Sequence, residues 1–477
     1  MKKWTVMLMA VTATAVVLSG CGSSNNNGGN DSGGNTANTT NNGGGNTGST
    51  NTKNNAGTKS GDVVTIKTSI TAGELSKDQI AEFEKEHPNI HVEIEEVDAT
   101  KLAAELATGD APDVIRILGV QDLPSYVIKG IATDLTDRIN TSTVFKADDL
   151  MDITNVYRFD GKTVGAGPIY GLPKDWSNDY AIFYNKKAFD AAGVPLPSTT
   201  EPMTLPEFID LAKKLTIKGA DGKIKQYGIG TNSGSKVEPT YDGMLEYLLS
   251  AGVNINTDDF SSINFDNPAV KDYINTWLDA VKNNVGPNSV NNDQSDSGDL
   301  FFKNQVAMQV FGYWYSGVIR NEERAKSHIE DFGMLPTPIA PGGTRVAPTG
   351  SATGGIINAA SKHPDEAWTF FEWYFGGKPA DDRAKTGWGL PIFKSKMASL
   401  PAVTAFDKQV NEVMKGEIEN SNKYIIWNPY LGNGGGAVFS KYSQPLLFGK
   451  SSIEDAIKGM TKDAGNAIEE AKAAAGQ

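Results

Sequence analysis

A single cysteine in 477 residues removes a disulfide framework and a cysteine-rich zinc site from consideration. Histidine is almost as scarce: His87, His91, His328 and His363 form neither HExxH nor a tight ligand cluster, so a transition-metal function has little support. Positive charge is outnumbered, 44 Lys and Arg against 57 Asp and Glu, a net of −13, which argues against general nucleic-acid binding. Long apolar runs are missing beyond the extreme N-terminus, and that excludes a multispanning membrane protein. No GxGxxG fingerprint, Walker loop or GxSxG elbow occurs. The glycine-rich Gly432-Asn433-Gly434-Gly435-Gly436 lacks the following Lys-Ser/Thr that would hold phosphates, and it reads as a flexible turn. Asp293, Asp296 and Asp299 lack EF-hand spacing and read as a solvated acidic loop. Asp122, Asp175, Glu246 and Asp296 permit a glycosidase pair only in the sense that any acidic protein does, because nothing in their spacing separates a proton donor from a nucleophile. The sequence therefore calls for no catalytic residue, no metal and no cofactor.

What is present begins with an address. Lys2 and Lys3 precede the largely apolar stretch Val6–Leu18, too short to span a bilayer comfortably and suited to a secretory signal. Leu18-Ser19-Gly20-Cys21 resembles a bacterial lipoprotein processing box. That resemblance implies a signal peptide over 1–20, lipidation of Cys21, and attachment to the cell membrane through two or more acyl chains. Residues Gly22–Ser60 number 39, of which 34 are Gly, Asn, Ser or Thr. Such a segment has almost nothing to bury, and 21–60 is expected to be a lipid-anchored tether with a root-mean-square span of roughly 35 Å.

The remaining 61–477 stretch suits two domains better than one. Val63–Thr68 reads as a strand, Ser76–His87 as a helix stopped by Pro88, Ile90–Val97 as the next strand, and Lys101–Thr108 as a helix ending at Gly109. Strands also fall at Pro112–Ile115, Tyr180–Tyr184 and Phe332–Pro338. Helices fall at Lys186–Ala192, Glu207–Leu215, Asp242–Ala251, Val270–Val281, Ala367–Phe375 and Ile453–Met460, the last capped by Ser452. This alternation predicts an α/β fold.

A neutral sugar offers a hydroxyl rim to hydrogen-bonding groups and C–H faces to flat rings. Several aromatics sit beside Gly, Pro, Asn or Asp instead of inside core patterns: Tyr170, Trp176, Tyr241, Trp314, Trp388, Trp427 and Tyr430. With Asp122, Asp175 and Asn178 they are the candidate ligand-binding residues. Trp277, Trp368 and Trp373 lie in helices with apolar neighbours and read as core.

Several segments in consistent order resemble the solute-binding proteins of bacterial ABC importers, specifically the carbohydrate-binding group that includes maltose-binding protein. They are Gly109-Asp110-Ala111-Pro112-Asp113-Val114; Tyr170-Gly171-Leu172-Pro173 with Tyr184-Asn185-Lys186; Phe302–Met308 with Gly312-Tyr313-Trp314; Phe332–Pro336; Gly354-Gly355; and the helix after Pro364-Asp365-Glu366. The small residue usual at the Asn304–Gln305 turn is absent. The resemblance implies a two-lobed periplasmic-binding-protein-like fold with a hinge and an interlobe ligand cleft. Lobe one would take 61–175 and 313–375, lobe two 176–312 and 376–477. It also implies an extracytoplasmic monomer that captures a mono- or oligosaccharide without chemistry and delivers it to ABC permease subunits. A receptor for a non-sugar solute, a surface glycosidase and an adhesin are the competing readings.

Overall fold

The computed structural model describes residues 63–231, 236–350, 352–432 and 434–474. The signal segment, Cys21 and the tether lie outside the described residues.

Local signals start the elements. Ser76 and Gln79 form a reciprocal capping box on helix Lys77–Glu86, and Thr204 with Glu207 does the same for Leu205–Leu215. Asp98 caps Ala99–Thr108, which closes on Gly109 at φ 79°, a conformation that favours glycine. These helices return the chain for strand pairing. Val64–Thr68 lies parallel to Ile90–Ile94, and Val114–Ile117 joins on its other side. The five-stranded first sheet runs Ile90–Ile94, Val64–Thr68, Val114–Ile117, Gly354–Ile357, Gly171–Pro173, with its last two pairings antiparallel.

The second sheet also has five strands: Phe332–Leu335, Ala181–Asn185, Val306–Phe311, Ile224–Gly230 and Ile217–Lys218. Val306–Phe311 is parallel to Ile224–Gly230 and antiparallel to Ala181–Asn185. The turn before it places Asn304 at φ 59°, and its Oδ1 accepts from Asn185 Nδ2 at 2.8 Å. Asparagine tolerates this left-handed geometry, so the missing small residue leaves the turn intact.

Strand pairing redraws the expected lobe boundaries in two places. Phe332–Leu335 does not return to the first sheet but pairs antiparallel with Ala181–Asn185 in the second, so the crossing expected at 313 occurs after 335. The tail divides as well. Arg383 in helix Lys378–Thr386 donates to the Tyr374 carbonyl at 2.9 Å, and Phe393 stacks on Phe145, so 376–393 packs with the first sheet. Helix Ala405–Ile418 then packs on the second sheet, where Gln409 brackets the Met334 backbone. The chain thus passes between the sheets three times, through 174–180, 336–353 and 394–404.

Each sheet buries its own apolar set. Phe83, Phe370 and Trp373 interlock beside the first, and Phe301, Phe302, Phe332 and Tyr315 beside the second. The glycine-rich stretch expected to be a turn instead opens helix Gly434–Leu447. A Cβ on Gly435 would come 2.5 Å from the Tyr241 ring, so glycine there serves close packing. Ser452 caps the last helix as expected, but that helix runs on to Ala474.

Candidate functional site

A cavity of about 560 Å³ lies where the crossing segments leave the two sheets. Its walls come from Lys174–Tyr180, from Phe311–Trp314 at the end of a central strand, from Pro338 and Thr353 on the second crossing, and from helices Tyr241–Ser250 and Pro268–Lys282. Ligands of open α/β sheets gather at such places, because strand ends and loops converge there without having to fill a core.

Four of the ten candidate residues line this cavity: Asp175, Trp176, Trp314 and Trp388. Trp314 is half-buried, set edge-on to Phe311 with ring centroids 5.0 Å apart. Trp388 is 46% exposed and lies against Gly317, where a Cβ would come 2.9 Å from the indole. Trp176 is buried, its Nε1 donating to the Pro391 carbonyl at 3.2 Å, so it presents only part of its surface. Gly312 allows the close approach of the first crossing, since a Cβ there would meet Ser177 Oγ at 2.2 Å.

Asp175 belongs to a chain of charges. Lys174 Nζ lies 2.7 Å from Asp175 Oδ2 and 3.5 Å from Glu74 Oε1, and Glu74 is gripped in turn by Arg116. Burial alone would push the Lys174 ammonium down, but the Asp175 and Glu74 carboxylates outweigh it and hold its pKa above the ordinary value. Burial likewise opposes ionisation of Glu74, while Arg116 and Lys174 bring its pKa below the usual range.

The other six candidates lie outside the cavity wall. Tyr170 is half-buried, its backbone N–H donating to Tyr157. Asn178 is buried with Nδ2 donating to Glu417 Oε2 at 3.0 Å. Tyr241 packs between Phe265 and Phe439. Trp427 is buried and donates to Asp242 Oδ1 at 3.3 Å. Tyr430 has the Lys472 ammonium over its ring at 5.1 Å. Asp122 stands at the start of helix Leu123–Ile128, facing Gly432.

Sequence reasoning missed the helical wall of the cavity. Trp277, expected to be core, lines it, as do Tyr247, Tyr273, Glu238 and Glu246. Tyr273 and Trp277 are four residues apart and so share one helix face, but nothing local says that this face opens onto a cavity. The three aspartates of the acidic loop have separate work. Asp293 accepts from Tyr227, Asp296 caps helix Ser297–Phe302, and Asp299 pairs with Lys303 and Arg324. Among the described residues no group of three or more His, Cys, Asp or Glu could hold a metal, and no helix is long and apolar enough to cross a membrane.

These features define a two-lobed α/β protein with a cavity at the crossings. Residues 67–378 match the bacterial extracellular solute-binding protein family, and the chain belongs to that family. An uncharacterized lipoprotein of Streptomyces antibioticus is 24% identical over 327 residues, a match that spans 66% of this chain and just under two thirds, 66%, of that protein. Among solved structures, an ABC substrate-binding protein from Listeria monocytogenes in complex with cycloalternan superposes with a TM-score of 0.69 at 22% identity. The match covers 86% of this chain and 100% of that one. The sugar-binding protein MalE from Xanthomonas citri gives 0.66 at 17% identity, over 85% and 98%.

Proposed function

We propose that this protein is the extracytoplasmic carbohydrate receptor of an ABC importer, held at the cell membrane through lipidated Cys21. It takes a mono- or oligosaccharide from the medium and hands it unaltered to permease subunits. The observation that carries this reading is the cavity of about 560 Å³ between the sheets, within the roughly 300–1,000 Å³ of small-molecule sites, walled by indole and phenol rings with a few polar groups among them. Rings supply stacking area for sugar C–H faces, and Asp175, Lys174 and Glu246 supply hydrogen bonds that fix orientation. Both lobes contribute walls, so a ligand touching both favours the closed arrangement in proportion to the contacts that only closure makes. The cycloalternan bound by the Listeria monocytogenes relative and the description of the Xanthomonas citri one as sugar-binding support the same reading, and no chemical step is required of any residue.

A thermal-shift panel of glucose, maltose, maltotriose and cycloalternan tests it. Binding to the native state raises the melting temperature by mass action, and the sugar should be recovered unchanged. Product formation would turn the reading to a glycosidase. The absence of a shift from any sugar, beside a shift from another solute, would turn it to a non-sugar receptor.

A further inference from the structure

Exposed apolar side chains gather where the cavity meets solvent. Leu118, 65% exposed, and Trp388, 46% exposed, both belong to its wall. Among the described residues these are the exposed large hydrophobics that line the cavity. Trp314, on the same wall, is half-buried. Large apolar side chains left open beside a concave wall mark a place where a ligand docks.

The turn that carries Trp388 is held from two directions. Gly387 closes helix Lys378–Thr386 at φ 61°, a left-handed conformation that suits glycine. Its carbonyl accepts from Arg320 Nη1 at 3.1 Å and from Ser316 Oγ at 3.4 Å, both on helix Tyr315–Asn321. A Cβ on Gly317 of that helix would fall 2.9 Å from the indole Cε3 and 3.1 Å from the Trp388 Cα, so glycine lets the indole lie on the helix. On the other side Leu390 exchanges backbone hydrogen bonds with Trp176 of the first crossing, at 2.9 and 3.0 Å. Trp314 immediately precedes helix Tyr315–Asn321. One short helix therefore carries one indole of the cavity at its start and seats the other along its side. A ring held in this way loses little freedom when a ligand arrives.

We propose that Trp388 is a specificity-determining residue that stacks on a sugar ring at the mouth of the cavity while the rest of the ligand occupies the interior, so that the receptor favours oligosaccharides over single sugars. Gly317 is its positioning residue. A single ring held inside gains nothing from an indole at the opening, whereas a chain that reaches outward gains a second stacked face. The inference rests on the receptor reading and adds the ligand class to it.

Calorimetry on the full chain with glucose, maltose and maltotriose tests it. In wild type the affinity should rise with chain length. Trp388→Ala should weaken maltotriose about tenfold and glucose less than about twofold, and Trp388→Phe, which keeps a flat face, should recover most of the loss. Gly317→Ala, which displaces the indole from its seat, should weaken maltotriose in an otherwise wild-type chain and change nothing further beside Trp388→Ala. The melting temperatures of the unliganded variants report the fold independently. A merely structural Trp388 would weaken all three sugars alike and give additive losses with Gly317→Ala. Equal losses for glucose and the longer sugars, no loss at all, or binding of glucose alone overturns the inference and leaves the receptor reading standing. Where glucose does not bind, a Trp388→Ala loss that Gly317→Ala fails to deepen supports the inference, and any other pattern overturns it. A protein that binds none of the three loses this inference, and one that also fails to bind cycloalternan loses the receptor reading with it.

Discussion

Glu417 is the place where one atom change should be felt across the molecule. Its side chain is fully buried. It accepts from Asn178 Nδ2 at 3.0 Å, from Thr337 Oγ1 at 2.7 Å and N at 3.3 Å, and from Arg345 Nε at 3.2 Å and Nη2 at 2.7 Å. Asn178 belongs to the first crossing, Thr337 and Arg345 to the second, so a single carboxylate on helix Ala405–Ile418 ties both passages together. Glu417→Gln keeps the volume but turns an amide N–H₂ toward donors and withdraws the charge from Arg345. Breaking a buried pair costs about 3–5 kcal/mol. Arg345 retains 22% exposure and with it some hydration, which places the expected loss near 3 kcal/mol, the lower end of that range. Urea midpoints read at constant slope give this number, and a cycle with Arg345→Met isolates the pair. The coupling should be about 2 kcal/mol, because residues in one buried network do not act additively. A loss below about 1 kcal/mol in Glu417→Gln, or a coupling near zero, would refute the idea that this carboxylate holds the crossings together.

Two further outcomes follow from other residues. Trp314→Ala should weaken sugar binding about tenfold, the worth of a lost ring face, while the far-UV spectrum stays native; unchanged affinity by calorimetry would remove Trp314 from the binding surface. Burial opposes ionisation of Asp407, but Arg320, with Nε 2.6 Å from Oδ1, and the Thr404 cap outweigh it and hold its pKa below the ordinary value. Its contribution is therefore present above the unfolded value of about 3.9 and lost as pH falls through the folded one. The stability gap between wild type and Asp407→Asn should be wide at pH 6 and shrink below about pH 4; a gap independent of pH would contradict this.

The readable part of the molecule is the part set by near neighbours. Ser76, Asp98, Gly109, Thr204 and Ser452 mark helix ends through contacts within four residues, and β-branched runs between them mark strands, so the α/β class and most elements follow from sequence. The paired motifs around Gly171-Leu172-Pro173 and Gly312-Tyr313-Trp314 bring Asp175, Trp176 and Trp314 to the cavity wall. The lobe boundaries resisted because they depend on which strand Phe332–Leu335 joins, a choice made about 150 residues away by Ala181–Asn185. The helical wall of the cavity was illegible for a related reason. Trp277 and Glu246 sit on helices whose apolar faces look like any core face, and only the packing of the two helices against the crossings leaves a gap before them. Trp427 and Tyr241 show the converse: turn-like surroundings in sequence, yet rings enclosed by Asp242, Phe265 and Phe439.

The placement of Gly354–Ile357 between Val114–Ile117 and Gly171–Pro173 has a consequence for how the chain is made. The amino-terminal half cannot seal its own sheet from what it contains; it waits for a ribbon synthesised some 180 residues later, after all five strands of its companion have emerged. Until then Val114–Ile117 and Gly171–Pro173 each keep an open edge. The ordering of strands along the gene thus delays closure of the first half until about three quarters of the chain has been made.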